Sequence, residues 1–217
     1  VLQTKALRKE RDWDGLTGVK NRMAFGETMV QMGARRDEYR SVALVMCDLN
    51  DLKGVNDVFG HDKGDEYICA AAGCIRKSFP SGHVFRIGGD EFVVILENDD
   101  FNKYEELLAR FKTALDDYNR HAGPDSRISI ARGIAIYEEN VDLTVSDVFK
   151  RADDAMYQNK MQVKKQKETT DRNASGSKPC HKSDGCPNSC PDDSTDGNPD
   201  NSPDNSPNRD TGNRLKT

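Results

Sequence analysis

The sequence predicts an α/β (α+β) protein with a ferredoxin-like or split βαβ core, a mostly antiparallel sheet flanked by helices. Three observations carry that expectation. Ser41 to Cys47 is a nearly continuous apolar run (Val42, Ala43, Leu44, Val45, Met46), the pattern of a strand covered on both faces. Val84-Phe85-Arg86-Ile87 and Phe92-Val93-Val94-Ile95-Leu96 flank Gly88-Gly89-Asp90-Glu91, which reads as a hairpin whose glycines reach positive φ without steric cost. Between and after these strands, apolar residues recur at helical spacing.

In chain order, Val1 to Arg11 is charged, with sparse apolar positions, and reads as a helical connector or a frayed terminus. Asp14 to Gly18 is a turn-rich opening, and Asn21 is placed to cap a helix that turns Phe25, Met29 and Met32 inward. The first strand ends in Asp48. From Gly64, the positions Ile68, Ala71, Ala72, Ile75 and Phe79 predict an amphipathic helix closed by Pro80. After the hairpin, Tyr104, Leu107, Leu108, Phe111, Leu115 and Tyr118 trace a further helix. Ile128, Ile130, Ile134 and Ile136 alternate as a strand, with Gly133 a bulge or a close approach. Val145, Val148, Phe149, Ala152, Ala155 and Met156 form the last helix, expected to end near Lys164.

Composition confines the core to one domain. Hydrophobic residues make up 35% of the 217, but after Val163 the non-cysteine members are Ala174 and Leu215 alone. A segment that poor in apolar surface cannot bury a core, so residues 167–217, rich in Pro, Asp, Asn and Ser, are expected to be disordered. The net charge of −5, from 32 basic and 37 acidic residues intermixed, gives no basic footprint for nucleic acid. No apolar run is long enough to span a membrane, and no signal segment opens the chain. A cytoplasmic location is expected, with no membrane contact by this segment. Because the first residue is Val1, an upstream sensor or transmembrane region is expected as well. Cys47, Cys69 and Cys74 read as small core residues. Cys180, His181, Cys186 and Cys190 lie in the tail at a spacing that matches no common zinc pattern.

The polar residues with chemical promise lie at strand ends. Asp48 closes a buried strand, and Asp90 and Glu91 sit at the hairpin tip. If strand and hairpin are neighbours, the three carboxylates converge and require a cation between them, Mg²⁺ being suited to oxygen ligands and phosphate. Otherwise they are solvated turn residues. The segment 51–65 reads as a glycine-punctuated loop that can offer backbone N–H groups and Lys53 to phosphates. Asn56 and Asp65 suit a purine edge, or else act as turn and cap residues. Lys160 and Lys164 share one helical face, either facing an anion or complementing the helix dipole.

Four motifs occur in one order: DGLTGVKNRMAF at 14–25, CDLNDLKGVNDVFGHDKGDEYI at 47–68, FRIGGDEFVVIL at 85–96 and RADDAMYQNK at 151–160. In these the chain resembles the GGDEF family of diguanylate cyclases, over residues 12–166. The resemblance implies a sheet of about five strands, as in nucleotidyl cyclases. It further implies that two GTP molecules are condensed into cyclic di-GMP, with release of two pyrophosphates, by a homodimer of such domains. By the same resemblance Asp48, Asp90 and the Leu49 carbonyl hold Mg²⁺, for which Mn²⁺ can substitute. Glu91 assists catalysis, Asn56 and Asp65 recognise guanine, and Gly88 and Gly89 shape the site with Lys53, Lys160 and Lys164 on the triphosphate.

Three departures stand against that pattern. Asn50 occupies a position usually held by aspartate. Val163-Lys164-Lys165 replaces a Gly-Arg-Asn ending, exchanging a bidentate arginine for a point charge. Phe79 and Gly82 fall where an inhibitory Arg-x-x-Asp would lie. The alternative is a catalytically weak, GTP-binding regulatory GGDEF module.

Overall fold

The structure, a computed structural model, describes residues 11–34, 41–80 and 83–175, with side chains described as far as Lys165. The elements run β1 (Lys20–Asn21), α1 (Arg22–Gly33), β2 (Val42–Leu49), α2 (Leu52–Phe59), α3 (His61–Ser78), β3 (His83–Arg86), β4 (Glu91–Glu97), α4 (Asn98–Asn102), α5 (Tyr104–His121), β5 (Ile130–Ile136) and α6 (Val145–Ser175). A short 3₁₀ turn, Pro124–Ser126, precedes β5.

The five strands form one mixed sheet in the order β1-β3-β4-β2-β5. Only β1 and β3 pair in parallel; β4 lies antiparallel between β2 and β3, which is the split βαβ arrangement. Every residue of β2 is buried, because helices cover both faces of the sheet. On one face Ala43, Val45 and Cys47 pack with Ile68, Ala71 and Ile75 of α3 and Phe111 of α5. On the other Val42, Leu44 and Met46 meet Met32 of α1 and Val148, Ala152 and Met156 of α6. The last contact is backbone-close. A Cβ on Gly133 of β5 would lie 2.1 Å from the Met156 nitrogen and 2.3 Å from the Ala152 carbonyl oxygen, so this glycine marks a close approach.

Local chemistry sets the boundaries. Asn21 caps α1, its side-chain oxygen accepting from the Ala24 N–H at 3.0 Å. Several expectations require correction. Residues 51–65 are not a loop: α2 occupies Leu52–Phe59 and α3 begins at His61, with Gly60 at φ 86° between them. Helix α2 carries Leu52, Val55 and Phe59 at helical spacing, with Leu52 and Val55 packed against the core, but in so short a segment Gly54 and Gly60 read as loop punctuation. Ile128 is buried but outside β5, because the Asn119 side chain takes both its N–H and its carbonyl at 2.8 Å. Gly88 and Gly89 are not at positive φ. Cys69 is exposed, unlike Cys47 and Cys74. The last helix continues beyond Lys164 to Ser175. The rest of the tail, with its cysteines, and nearly all of the expected connector lie outside the described residues. No helix among the described residues is long and apolar enough to cross a membrane.

Candidate active site

The site forms where the C-terminal end of β2 meets the hairpin tip. Asp48 and Glu91 are direct cross-strand partners, and the Leu49 N–H donates to the Asp90 carbonyl at 3.0 Å. Side chains so paired stand about 5 Å apart at Cβ, so the carboxylates do converge. Asp48 is 6% exposed, and Lys160, reaching down from α6, donates to its Oδ1 at 2.6 Å. Burial first, then Asp90 and Asp153, raises the Asp48 pKa above its ordinary 3.8 despite the pull of Lys160. Glu91 is raised above 4.5 by burial, then by Asp90, Asp48 and Asp153, with Arg22 opposing. These carboxylates repel one another, and one lysine does not neutralise them.

Gly88 leaves room for the Glu91 carboxylate in its present place. A Cβ there would lie 2.4 Å from Glu91 Oε2, so the glycine lets the Glu91 side chain fold over the turn. The tip is fastened from below. Arg86 donates to the Gly89 carbonyl at 2.7 Å and to Asp14 Oδ1 at 3.1 Å, while Asp14 is itself held by the Thr17 N–H and hydroxyl. Arg86 is therefore committed to shaping the hairpin.

A cleft of about 350 Å³ adjoins the carboxylates, lined by Asn50, Asp51, Lys160, Val163 and Lys164. Asn50 is buried. Its N–H donates to the Ser129 carbonyl at 2.8 Å, its side-chain NH₂ to Ser129 Oγ at 2.9 Å, and its carbonyl accepts from the Tyr67 hydroxyl at 2.9 Å. Asp51 adopts left-handed backbone, φ 64°, to start α2, and its carboxylate lies where a Cβ on Gly54 would stand, 2.5 Å away. Aspartate and asparagine are the non-glycine residues that tolerate this region best, and Asn98 and Asn140 adopt it as well.

On the facing sides of α2 and α3, the Asn56 side chain presses against Gly64, whose Cβ would lie 1.9 Å from Asn56 Oδ1. That oxygen is buried and has no hydrogen-bond partner. An orphaned acceptor beside the exposed Asp65 is a polar cradle awaiting a donor. Lys53 is exposed on the first turn of α2 and does not line the cleft. Phe79, at the position of the missing inhibitory arginine, is 1% exposed and packs on Phe111 at 5.7 Å between ring centroids; Gly82 lies outside the described residues.

Sequence reading missed Asp153 and Arg22, the charged neighbours of the site. Asp153 stands seven residues before Lys160, two turns along one helical face, and that spacing is a usable signal. Among the described residues no group of three or more His, Cys, Asp or Glu side chains is already gathered as a metal cage. The oxygen donors nevertheless fit Mg²⁺, which takes one or two carboxylates and completes its shell with water and phosphate.

An α+β sheet carrying carboxylates on a glycine hairpin, a basic helix face and an adjoining cleft defines a nucleotidyl-cyclase-like class. The family profile described as "Diguanylate cyclase, GGDEF domain" matches residues 11–166, and the chain belongs to the GGDEF family. It is 35% identical over 150 residues to the diguanylate cyclase DgcP of Pseudomonas aeruginosa, covering 68% of this chain and 22% of that protein. A diguanylate cyclase of Vibrio cholerae serotype O1 is 32% identical over 155 residues, covering 68% and 46%. The crystal structure of diguanylate cyclase SiaD in complex with its activator SiaC, from Pseudomonas aeruginosa, superposes with a TM-score of 0.63 at 25% identity. That match covers 74% of this chain and 62% of SiaD. The chain thus spans less than half the length of either curated relative.

Proposed function

We propose that this chain is a diguanylate cyclase, condensing two GTP into cyclic di-GMP and two pyrophosphates as a dimer of GGDEF domains. The observation that carries the reading is the cross-strand pair of Asp48 and Glu91, with Asp90 beside it and Lys160 on Asp48 at 2.6 Å. This edge carries surplus negative charge beside a cationic cleft, the electrostatics that a metal–triphosphate substrate satisfies from both sides. The names of the curated relatives support the same activity.

Asp48, Asp90 and the Leu49 carbonyl would hold Mg²⁺, with Mn²⁺ as a substitute. Bound there, the metal supplies Lewis-acid polarisation of phosphate oxygens. Lys160 and Lys164 neutralise and orient the triphosphate in the cleft, and Lys53, exposed on α2 outside the cleft, would meet a phosphate that projects beyond it. The buried Asn56 oxygen accepts from guanine's exocyclic amine and Asp65 from its N–H edge. Glu91, held above the ordinary carboxylate range, is poised to take the proton from the attacking ribose 3′-hydroxyl. One domain positions one GTP, so a second must present the other α-phosphorus face to face, and rate is gained from that positioning. An upstream region that controls the meeting of two domains, and a cytoplasmic site where GTP is available, complete the proposal.

Incubation of the chain with GTP and Mg²⁺, with mass spectrometry of the products, tests it. Cyclic di-GMP with two pyrophosphates per product is expected. GTP bound but unchanged would favour the regulatory module, which the neutral Asn50 in the cleft allows.

A further inference from the structure

We propose that Lys160 is a resident counter-ion at Asp48 which the divalent metal must displace, so that metal and triphosphate enter the site together. The inference rests on reading this edge as a metal–triphosphate site. Asp48 is almost wholly buried, has Glu91 as its cross-strand neighbour and is pressed by the charges of Asp90 and Asp153. Such a carboxylate needs a cation at all times, and the Lys160 ammonium at 2.6 Å supplies one.

A divalent cation bound to Asp48 and Asp90 would share the same carboxylate with that ammonium. The two positive charges repel, so metal binding requires Lys160 to leave. The lysine has somewhere to go. Its side chain is 40% exposed and lines the cleft with Lys164, one helical turn further on. In an empty cleft the displaced ammonium would meet water, Asn50 and the lone Asp51 carboxylate, with the like charge of Lys164 beside it. With a polyanion present, the same movement exchanges Asp48 for phosphate oxygens. Anion and metal therefore each lower the cost of binding the other, and the coupling is reciprocal.

The test is a titration of Mn²⁺ into the full chain without nucleotide, for the parent, Lys160→Met and Lys164→Met. Methionine keeps much of the apolar stem and removes the ammonium. Lys160→Met should bind Mn²⁺ at least tenfold more tightly than the parent, while Lys164→Met, which leaves the counter-ion in place, should match the parent. Unchanged or weaker Mn²⁺ binding in Lys160→Met overturns the proposal. If that variant melts early, Lys160→Gln is read by the same criterion. No turnover is needed, so the two readings separate. A parent that makes no cyclic di-GMP while Lys160→Met gains Mn²⁺ affinity contradicts the cyclase and keeps the exchange. An active parent with no such gain in the variant does the reverse.

Discussion

Two buried aspartates at the ends of neighbouring strands of one sheet have opposite surroundings. Asp142, in the turn between β5 and α6, has a side chain with no exposed surface, and both its oxygens are claimed by Arg151 at 3.0 and 2.5 Å. It also accepts from the Glu138 N–H at 2.8 Å, while Arg151 donates further to Glu138 and to the Ile136 carbonyl. Asp48, at the end of β2, has one lysine on one oxygen and three acidic neighbours. Burial that is matched by a bidentate arginine is structural; burial that is left short of positive charge is held open for a ligand.

The widest separation between the two should appear on substitution. Asp48→Asn is expected to reduce cyclic di-GMP formation by about a hundred- to a thousandfold, with no loss of thermal stability. Asp142→Ala should do the opposite, costing about 3 kcal/mol because Arg151 is left without its partner, while activity per folded molecule persists. Product assays and thermal melts on both variants decide the matter. A destabilised Asp48→Asn or an inactive but stable Asp142→Ala would break the comparison.

Base choice sharpens the account of the second half of the site. Asp65→Ala or Asn56→Ala should each narrow the preference for GTP over ATP by about 1–3 kcal/mol, since each leaves guanine donors unmatched. Competition binding with the two nucleotides checks this, and an unchanged preference in both variants would remove the guanine assignment.

The smallest expected effect concerns pH. The raised pKa of Glu91 means that the folded chain holds this proton more tightly than the unfolded chain. Its ionised form therefore costs stability, and the cost grows as pH rises from 4.5 through the folded value. Glu91→Gln should melt higher than the parent at pH 7, with the difference closing as the pH falls below 4.5. Melting curves across that range, showing a variant less stable at neutral pH, would contradict the crowding of carboxylates.

The contrast also shows what was legible in the sequence. The sheet was, because strands such as Val42 to Met46 are apolar throughout and the helices that cover them have clear periodicity. The carboxylates at strand ends and Lys160 with Lys164 were legible as types and spacings. The pairing of Lys160 with Asp48 was not, since 112 residues separate them and only the packing of α6 on the sheet joins them. Helix α2 was hidden by its brevity and its glycines: Leu52, Val55 and Phe59 keep helical spacing, but Gly54 and Gly60 read as loop punctuation, and left-handed Asp51 sets the start. The space-saving role of Gly88 depends on where Glu91 folds, which composition does not reveal.

The central claim, that two such domains share the synthesis of one cyclic dinucleotide, is tested most directly by specific activity against chain concentration. With GTP and Mg²⁺ in excess, the account predicts cyclic di-GMP as product, at a rate per chain that rises with concentration and then levels off as dimers saturate. Turnover per chain that is independent of concentration down to dilutions where the chain is shown to be monomeric would contradict it. So would GTP that stays intact at every concentration.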